Sequence, residues 1–204
     1  QLLLLDEPFS NLDVDLRERL AHELREILKA AGATALFVTH DQQEAFAIGD
    51  MIGVMHEGTL HQWDDAYTLY HRPATRFVAN FIGSPPMNFL PFHGLLGMGG
   101  TEVTLAGAVQ TVPAMREGAA GDLVFGVRPE HVRLSDSAEF KGRGVAVEYL
   151  GTTQIVTFDT ACGQLKARLS SAERVDVGAQ TGLSFDPRSV TIFDAQGGHA
   201  LLSE

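Results

Sequence analysis

Residues 2–5 are four consecutive leucines, and Asp6, Glu7 and Pro8 follow directly. A strand with one wet face alternates apolar and polar residues, so an unbroken apolar run predicts a short strand buried on both faces. Pro8 ends it, having no N–H with which to extend a central strand. Residues 14–31 then place Leu16, Leu20, Leu24, Ile27 and Leu28 on one helical face, with Arg17, Glu18, Arg19, Glu23, Glu26 and Lys29 on the other. Asp13 is the N-cap of this helix and Gly32 its stop. Residues 34–39 are again nearly all apolar and lead straight into His40. Strand, helix and strand predict a βαβ crossover with parallel strands, which brings Asp6, Glu7 and His40 to one carboxyl edge. Open α/β sheets bind their ligands at that edge.

Downstream, Asp41 with Glu44 three residues on reads as a capping-box-like start to a short helix through Ala45, Phe46 and Ile48. Residues 51–56 and 59–63 flank Glu57-Gly58 as a tight hairpin, which sets His56 opposite Thr59 and His61 opposite Val54. With the two rings not cross-strand partners, structural or solvated roles are expected for His56, His61 and Glu57 in preference to a metal site. Asp64-Asp65 opens another short helix, closed at His71-Arg72-Pro73, and residues 74–82 carry Phe77, Val78, Phe81 and Ile82 at helical spacing. Trp63, Phe77 and Phe81 are expected in the core.

Gly83-Ser84-Pro85-Pro86 is the clearest breaker cluster and marks the expected domain boundary. Beyond it the pattern changes to short β-rich runs between glycines, which suggests a small barrel or sandwich. The best strands are 123–127, 145–150, 155–158, 165–169 and 190–193, with Lys166 and Arg168 on the wet face of theirs. Residues 94–107 are expected to form a mobile loop, and Cys162 to lie in a turn. The expected organisation is an α/β domain over 1–83, a linker over 84–90 and an all-β domain over 91–204.

Composition narrows the partners. The 204 residues include 15 Lys and Arg against 26 Asp and Glu, a formal charge of -11, which argues against a general grip on nucleic-acid phosphates. A single cysteine suits a reducing compartment, and no apolar run approaches a membrane span. Beginning at Gln1, directly in a strand and without an initiator methionine, the chain reads as a fragment of a longer, cytoplasmic protein.

The strand edge suits phosphate chemistry. Asp6 fits Mg²⁺, a hard cation that takes oxygen ligands and keeps several waters. Glu7 is placed to orient or deprotonate an attacking water, and His40 can donate to a phosphate oxygen in either charge state. In this order the pieces resemble an ATP-binding cassette (ABC) transporter ATPase: residues 2–8 its Walker B strand, Ser10-Asn11-Leu12-Asp13 its D-loop, and Val38-Thr39-His40-Asp41 its switch-histidine loop. The resemblance implies that Asp6 holds Mg²⁺ through water, that Glu7 is the catalytic base, and that His40 contacts the γ-phosphate of ATP and the attacking water. It also implies that Ser10, Asn11 and Asp13 cross the interface of a homodimer that sandwiches the nucleotide.

Residues 81–90 resemble the linker of the maltose- and glycerol-3-phosphate-type sugar importers. Gly126-Val127-Arg128-Pro129-Glu130-His131 and Leu150-Gly151-Thr152-Thr153-Gln154 resemble the OB-like (TOBE-type) regulatory domain that follows it. The implied fold is a partial P-loop NTPase domain followed by an all-β regulatory domain. The implied setting is the inner face of the cell membrane, with transporter membrane subunits as direct partners and a solute-binding protein as an indirect one. Gln62-Trp63-Asp64-Asp65-Ala66 stands where sugar importers carry a Gly-x-Pro turn, and leaves a ferric-iron or polyamine importer as the alternative. A non-catalytic regulatory or dimerisation module is the rival from another class. Around Arg128, Glu130 and His131, a buried ion pair and a regulatory ligand or subunit contact are both open.

These residues contain no G-x-x-x-x-G-K-[ST] phosphate loop, no LSGGQ-like signature and no Q-loop segment. The 204-residue chain on its own is therefore expected neither to bind ATP tightly nor to hydrolyse it.

Overall fold

The computed structural model describes residues 2–203. Contacts divide them into two units, with the division between Arg72 and Pro73.

The first unit begins with β1 (Leu2–Asp6), α1 (Val14–Ala30) and β2 (Thr34–Val38). β1 and β2 are parallel, in register from Leu2 opposite Thr34 to Asp6 opposite Val38, as the crossover requires. Asp13 caps α1 by accepting from the Leu16 N–H at 2.9 Å. Gly32 ends the helix in a left-handed conformation (φ 58°) that a side chain would resist. The apolar face of α1 settles on Phe9, Ala21 and Ile48, with Leu20, Leu24 and Phe37 packed around them. Two expectations fail here. Leu2, Leu3 and Leu4 are exposed, because only one strand pairs with β1 and no layer covers its outer face among the described residues. Ile27 is also exposed, since the packed stripe runs through Ala21 instead.

α2 (Gln42–Ile48), a hairpin of β3 (Ile52–His56) and β4 (Thr59–Asp64), and α3 (Ala66–His71) complete this unit. His56 faces Thr59 as expected, but a bulge shifts the register after Val54, so Gln62 rather than His61 faces Val54. The His56 and His61 rings consequently lie 6.2 Å apart. Trp63, expected in the core, is exposed and packs over Gly53.

The second unit contains α4 (Arg76–Phe81) and ten strands. α4, read from the sequence with the preceding domain, is gathered into this unit because Ala79 packs with Met87, Val124 and Phe193. The strands are β5 (Asn88–Leu96), β6 (Glu102–Leu105), β7 (Ala108–Thr111), β8 (Ala119–Val127), β9 (Val132–Leu134), β10 (Lys141–Tyr149), β11 (Thr153–Thr160), β12 (Gly163–Ser170), β13 (Gln180–Phe185) and β14 (Val190–Asp194). They form a five-stranded sheet, β12-β11-β10-β13-β9, a three-stranded sheet, β14-β8-β5, and the pair β6-β7. Phe125, Phe158, Leu165, Leu183 and Ile192 are fully buried in one core that draws on both larger sheets. Residues 94–107 are not a loop throughout: β5 runs to Leu96, and β6 buries Val103 and Leu105 at period two. Cys162 lies in the turn between β11 and β12, and Lys166 points outward between the buried Leu165 and Ala167.

Candidate functional site

The crossover delivers the chemistry to one edge. Asp6 is the last residue of β1 and is exposed. At Glu7 the chain turns sharply: its N–H donates to the Val38 carbonyl at 2.8 Å and its φ is 47°, a left-handed conformation uncommon for a residue with a side chain. Such strain persists where the surroundings fix it, and it gathers at functional positions. Here the turn aims the carboxylate at His40, two residues beyond the end of β2. His40 Nδ1 lies 2.8 Å from Glu7 Oε1 and 2.7 Å from Oε2, spanning both oxygens. The hydrogen bond and charge of Glu7 hold the imidazole pKa above its ordinary value; slight burial opposes this, and Asp41 and Glu44 add to it. With Nδ1 engaged by Glu7, Nε2 is the ring atom through which His40 can reach a ligand.

Ser10 and Asn11 are exposed in the turn after Pro8, while Asp13 uses its side chain to cap α1. The structure thus joins Glu7 to His40 directly and sets the D-loop-like residues on the segment between β1 and α1.

Sequence reading missed the support behind His40. Arg17, assigned to the wet face of α1, donates from Nη1 to Asp41 Oδ2 at 2.7 Å and from Nη2 to the Leu12 carbonyl at 3.0 Å. Its Nε lies 3.4 Å from Glu44 Oε1. Glu44 is only 3% exposed and accepts from Thr39 Oγ1 at 2.6 Å. The reciprocal bond of a capping box gives way to this network. Asp41 does accept from the Gln43 and Glu44 N–H groups, but its own N–H donates to Thr39 Oγ1. Burial pushes the Asp41 carboxyl up, yet the two N–H groups and the Arg17 guanidinium outweigh it and hold it below the usual carboxylate range. Only the pairing of a basic residue in the first turn of α1 with an acid in the first turn of α2 could have signalled the contact.

In the second unit Arg128 is buried and donates to the Ile82 carbonyl at 2.7 Å. Asn88, also buried, donates to the Val127 and Lys166 carbonyls and accepts from the Lys166 N–H at 2.7 Å. Arg168 donates to the Ser84 carbonyl. The stretch read as a linker is thus fastened to the strands at three points.

A family model described as the MalK OB fold domain matches residues 83–132, and one described as the TOBE domain matches residues 125–193. An uncharacterized ABC transporter ATP-binding protein, YurJ of Bacillus subtilis, is 38% identical over 96% of this chain and 57% of its own length. The sn-glycerol-3-phosphate import ATP-binding protein UgpC of Cereibacter sphaeroides is 38% identical over 97% and 56%. The trehalose/maltose import ATP-binding protein MalK of Thermococcus litoralis is 35% identical over 98% and 57%. The chain is a homologue of sugar ABC importer ATP-binding subunits. This homologue carries all-β OB-fold and TOBE domains in its second unit, and it spans a little over half the length of the curated relatives it matches. Among solved structures, the cytoplasmic molybdate-binding protein ModG aligns at a TM-score of 0.43 and 14% identity, over 52% of this homologue and 94% of that chain, a likeness too slight to argue from.

Proposed function

We propose that this chain is the C-terminal part of the ATP-hydrolysing subunit of an ABC importer for a sugar or related solute. Residues 1–83 are then the later portion of a P-loop NTPase domain, 84–90 its linker and 91–204 the regulatory domain. The observation that carries the reading is the contact between Glu7 and His40 at the ends of two parallel strands, within a chain alignable over nearly its full length with importer ATP-binding subunits.

In this reading Asp6 would help to hold Mg²⁺, which would neutralise charge on the phosphates of ATP when bound. Glu7 takes the proton of the attacking water. Held by Glu7 at Nδ1, His40 presents Nε2 to the γ-phosphate. Ser10, Asn11 and Asp13 meet the second copy of a homodimer. The assembly works on the inner face of the membrane with its membrane subunits, fed indirectly by a solute-binding protein. Relatives named for glycerol-3-phosphate, trehalose/maltose and xylose/arabinose import favour a sugar-type solute over ferric iron or a polyamine.

The test is steady-state ATPase on the longer polypeptide that carries a phosphate loop ahead of this chain. Glu7→Gln should lower turnover on the order of 100-fold or more while ATP binding persists, as loss of a general base does. The 204-residue chain titrated with Mg-ATP by calorimetry should show no micromolar binding. Turnover that survives Glu7→Gln, or micromolar affinity of the short chain, overturns the assignment.

A further inference from the structure

Resting on that reading, we infer that Arg17 is a positioning residue: its guanidinium fastens the turn at Leu12, within the D-loop-like segment, to Asp41 and Glu44 behind His40. One planar fork reaches three groups, one in the turn before α1 and two at the start of α2, with Nη2 to the Leu12 carbonyl at 3.0 Å, Nη1 to Asp41 at 2.7 Å and Nε 3.4 Å from Glu44. A lysine cannot make that set, because its ammonium is a single point with no fixed fork.

The grip reaches His40 through its neighbours on both sides. Thr39 precedes the ring and donates to Glu44 at 2.6 Å; Asp41 follows it and is held by Arg17 itself. Residues 39, 41 and 44 are therefore tied to one cation while the His40 side chain stays 78% exposed, with Glu7 as its polar contact. A side chain so open has little packing to define its position. Its placement against Glu7 depends on the backbone at residues 39–41, which Arg17 and Glu44 fix. The same cation also sets where residues 10–13 stand relative to that backbone. Glu44 adds to the cost of losing that cation, because a carboxylate 3% exposed is expensive to leave unpaired.

A merely stabilising ion pair would alter the melting temperature and leave the Glu7–His40 contact of folded molecules unchanged. The experiment therefore reads the contact, as NMR cross-relaxation between His40 ring protons and Glu7 side-chain protons in the 204-residue chain. Arg17→Met combined with Glu44→Gln removes the cation without stranding the buried Glu44 charge, and should cut the cross-peak at least threefold in a chain whose circular dichroism is unchanged. Arg17→Lys, which keeps a charge for Glu44, should also weaken it and serves as the deciding variant if the double substitution does not fold. A cross-peak of wild-type intensity in a folded variant overturns the inference. In the longer ATP-hydrolysing polypeptide, Arg17→Lys should lower kcat at least tenfold with KM for ATP within threefold; unchanged kcat likewise overturns it. If the unsubstituted longer polypeptide hydrolyses no ATP, the proposed function fails, and the cross-peak alone decides the role of Arg17.

Discussion

His40 and Glu7 form a pair whose strength depends on the charge of the ring. Because Glu7 raises the imidazole pKa, the pair favours the protonated ring. The stabilisation is fully present below the ordinary value of 6.5 and is lost as pH rises through the raised one. An NMR titration should place the His40 midpoint above 6.5 in the wild-type chain and return it toward that value in Glu7→Gln. A midpoint unmoved by the substitution would mean that the contact does not persist in solution. The left-handed φ at Glu7 belongs to the same scale. A glycine there would relieve the backbone but remove the carboxylate, so stability and chemistry pull this position in opposite directions.

At the scale of elements, the strands of the second unit are held by close approach and by one buried amide. Asn88 on β5 makes hydrogen bonds to Val127 on β8 and to both backbone groups of Lys166 on β12, so it joins the two larger sheets where no backbone ladder can. Asn88→Ala leaves those backbone groups without this partner and should cost about 2 to 3 kcal/mol, read as a lower urea midpoint. Gly126 on β8 is the other tight point. A Cβ there would stand 2.6 Å from Phe193 Cε2 and 2.8 Å from Met87 Sδ, so Gly126→Ala should cost about 1 to 3 kcal/mol in the same measurement.

Neither point could be read from the sequence, because each depends on which strands become neighbours across long separations. What the sequence did carry was local. The apolar runs at 2–5 and 34–38 and the helix between them predicted the parallel pair, and the alternation in 165–169 predicted the faces of β12. The edge that unites Glu7 and His40 was legible for that reason. Arg17 was not, because a cation in a helix's first turn looks solvated until the neighbouring helix supplies Glu44. The bulge at His61 and the strand character of 94–107 were obscured in the same way, one by a single extra residue, the other by glycines that read as a loop.

At the scale of the whole molecule, the two units differ in what holds them. The first centres its core on Phe9, Ala21 and Ile48 and leaves Leu2 and Leu4 about two-thirds exposed, at 65% and 66%. The second shares a large core between its two larger sheets. Unfolding should therefore proceed in two steps, residues 1–72 first. Trp63 is the sole tryptophan and lies in the first unit, so its fluorescence should change at a lower denaturant concentration than the far-ultraviolet signal of the strands. Coincident transitions would show instead that the units unfold together.

Cys162 extends that logic to the other unit. Partial burial raises the pKa of its thiol and so disfavours the reactive thiolate in the folded chain. As the only sulfhydryl in the molecule, it reports on its own surroundings: an alkylating reagent should consume it more slowly in the folded chain than in the unfolded one.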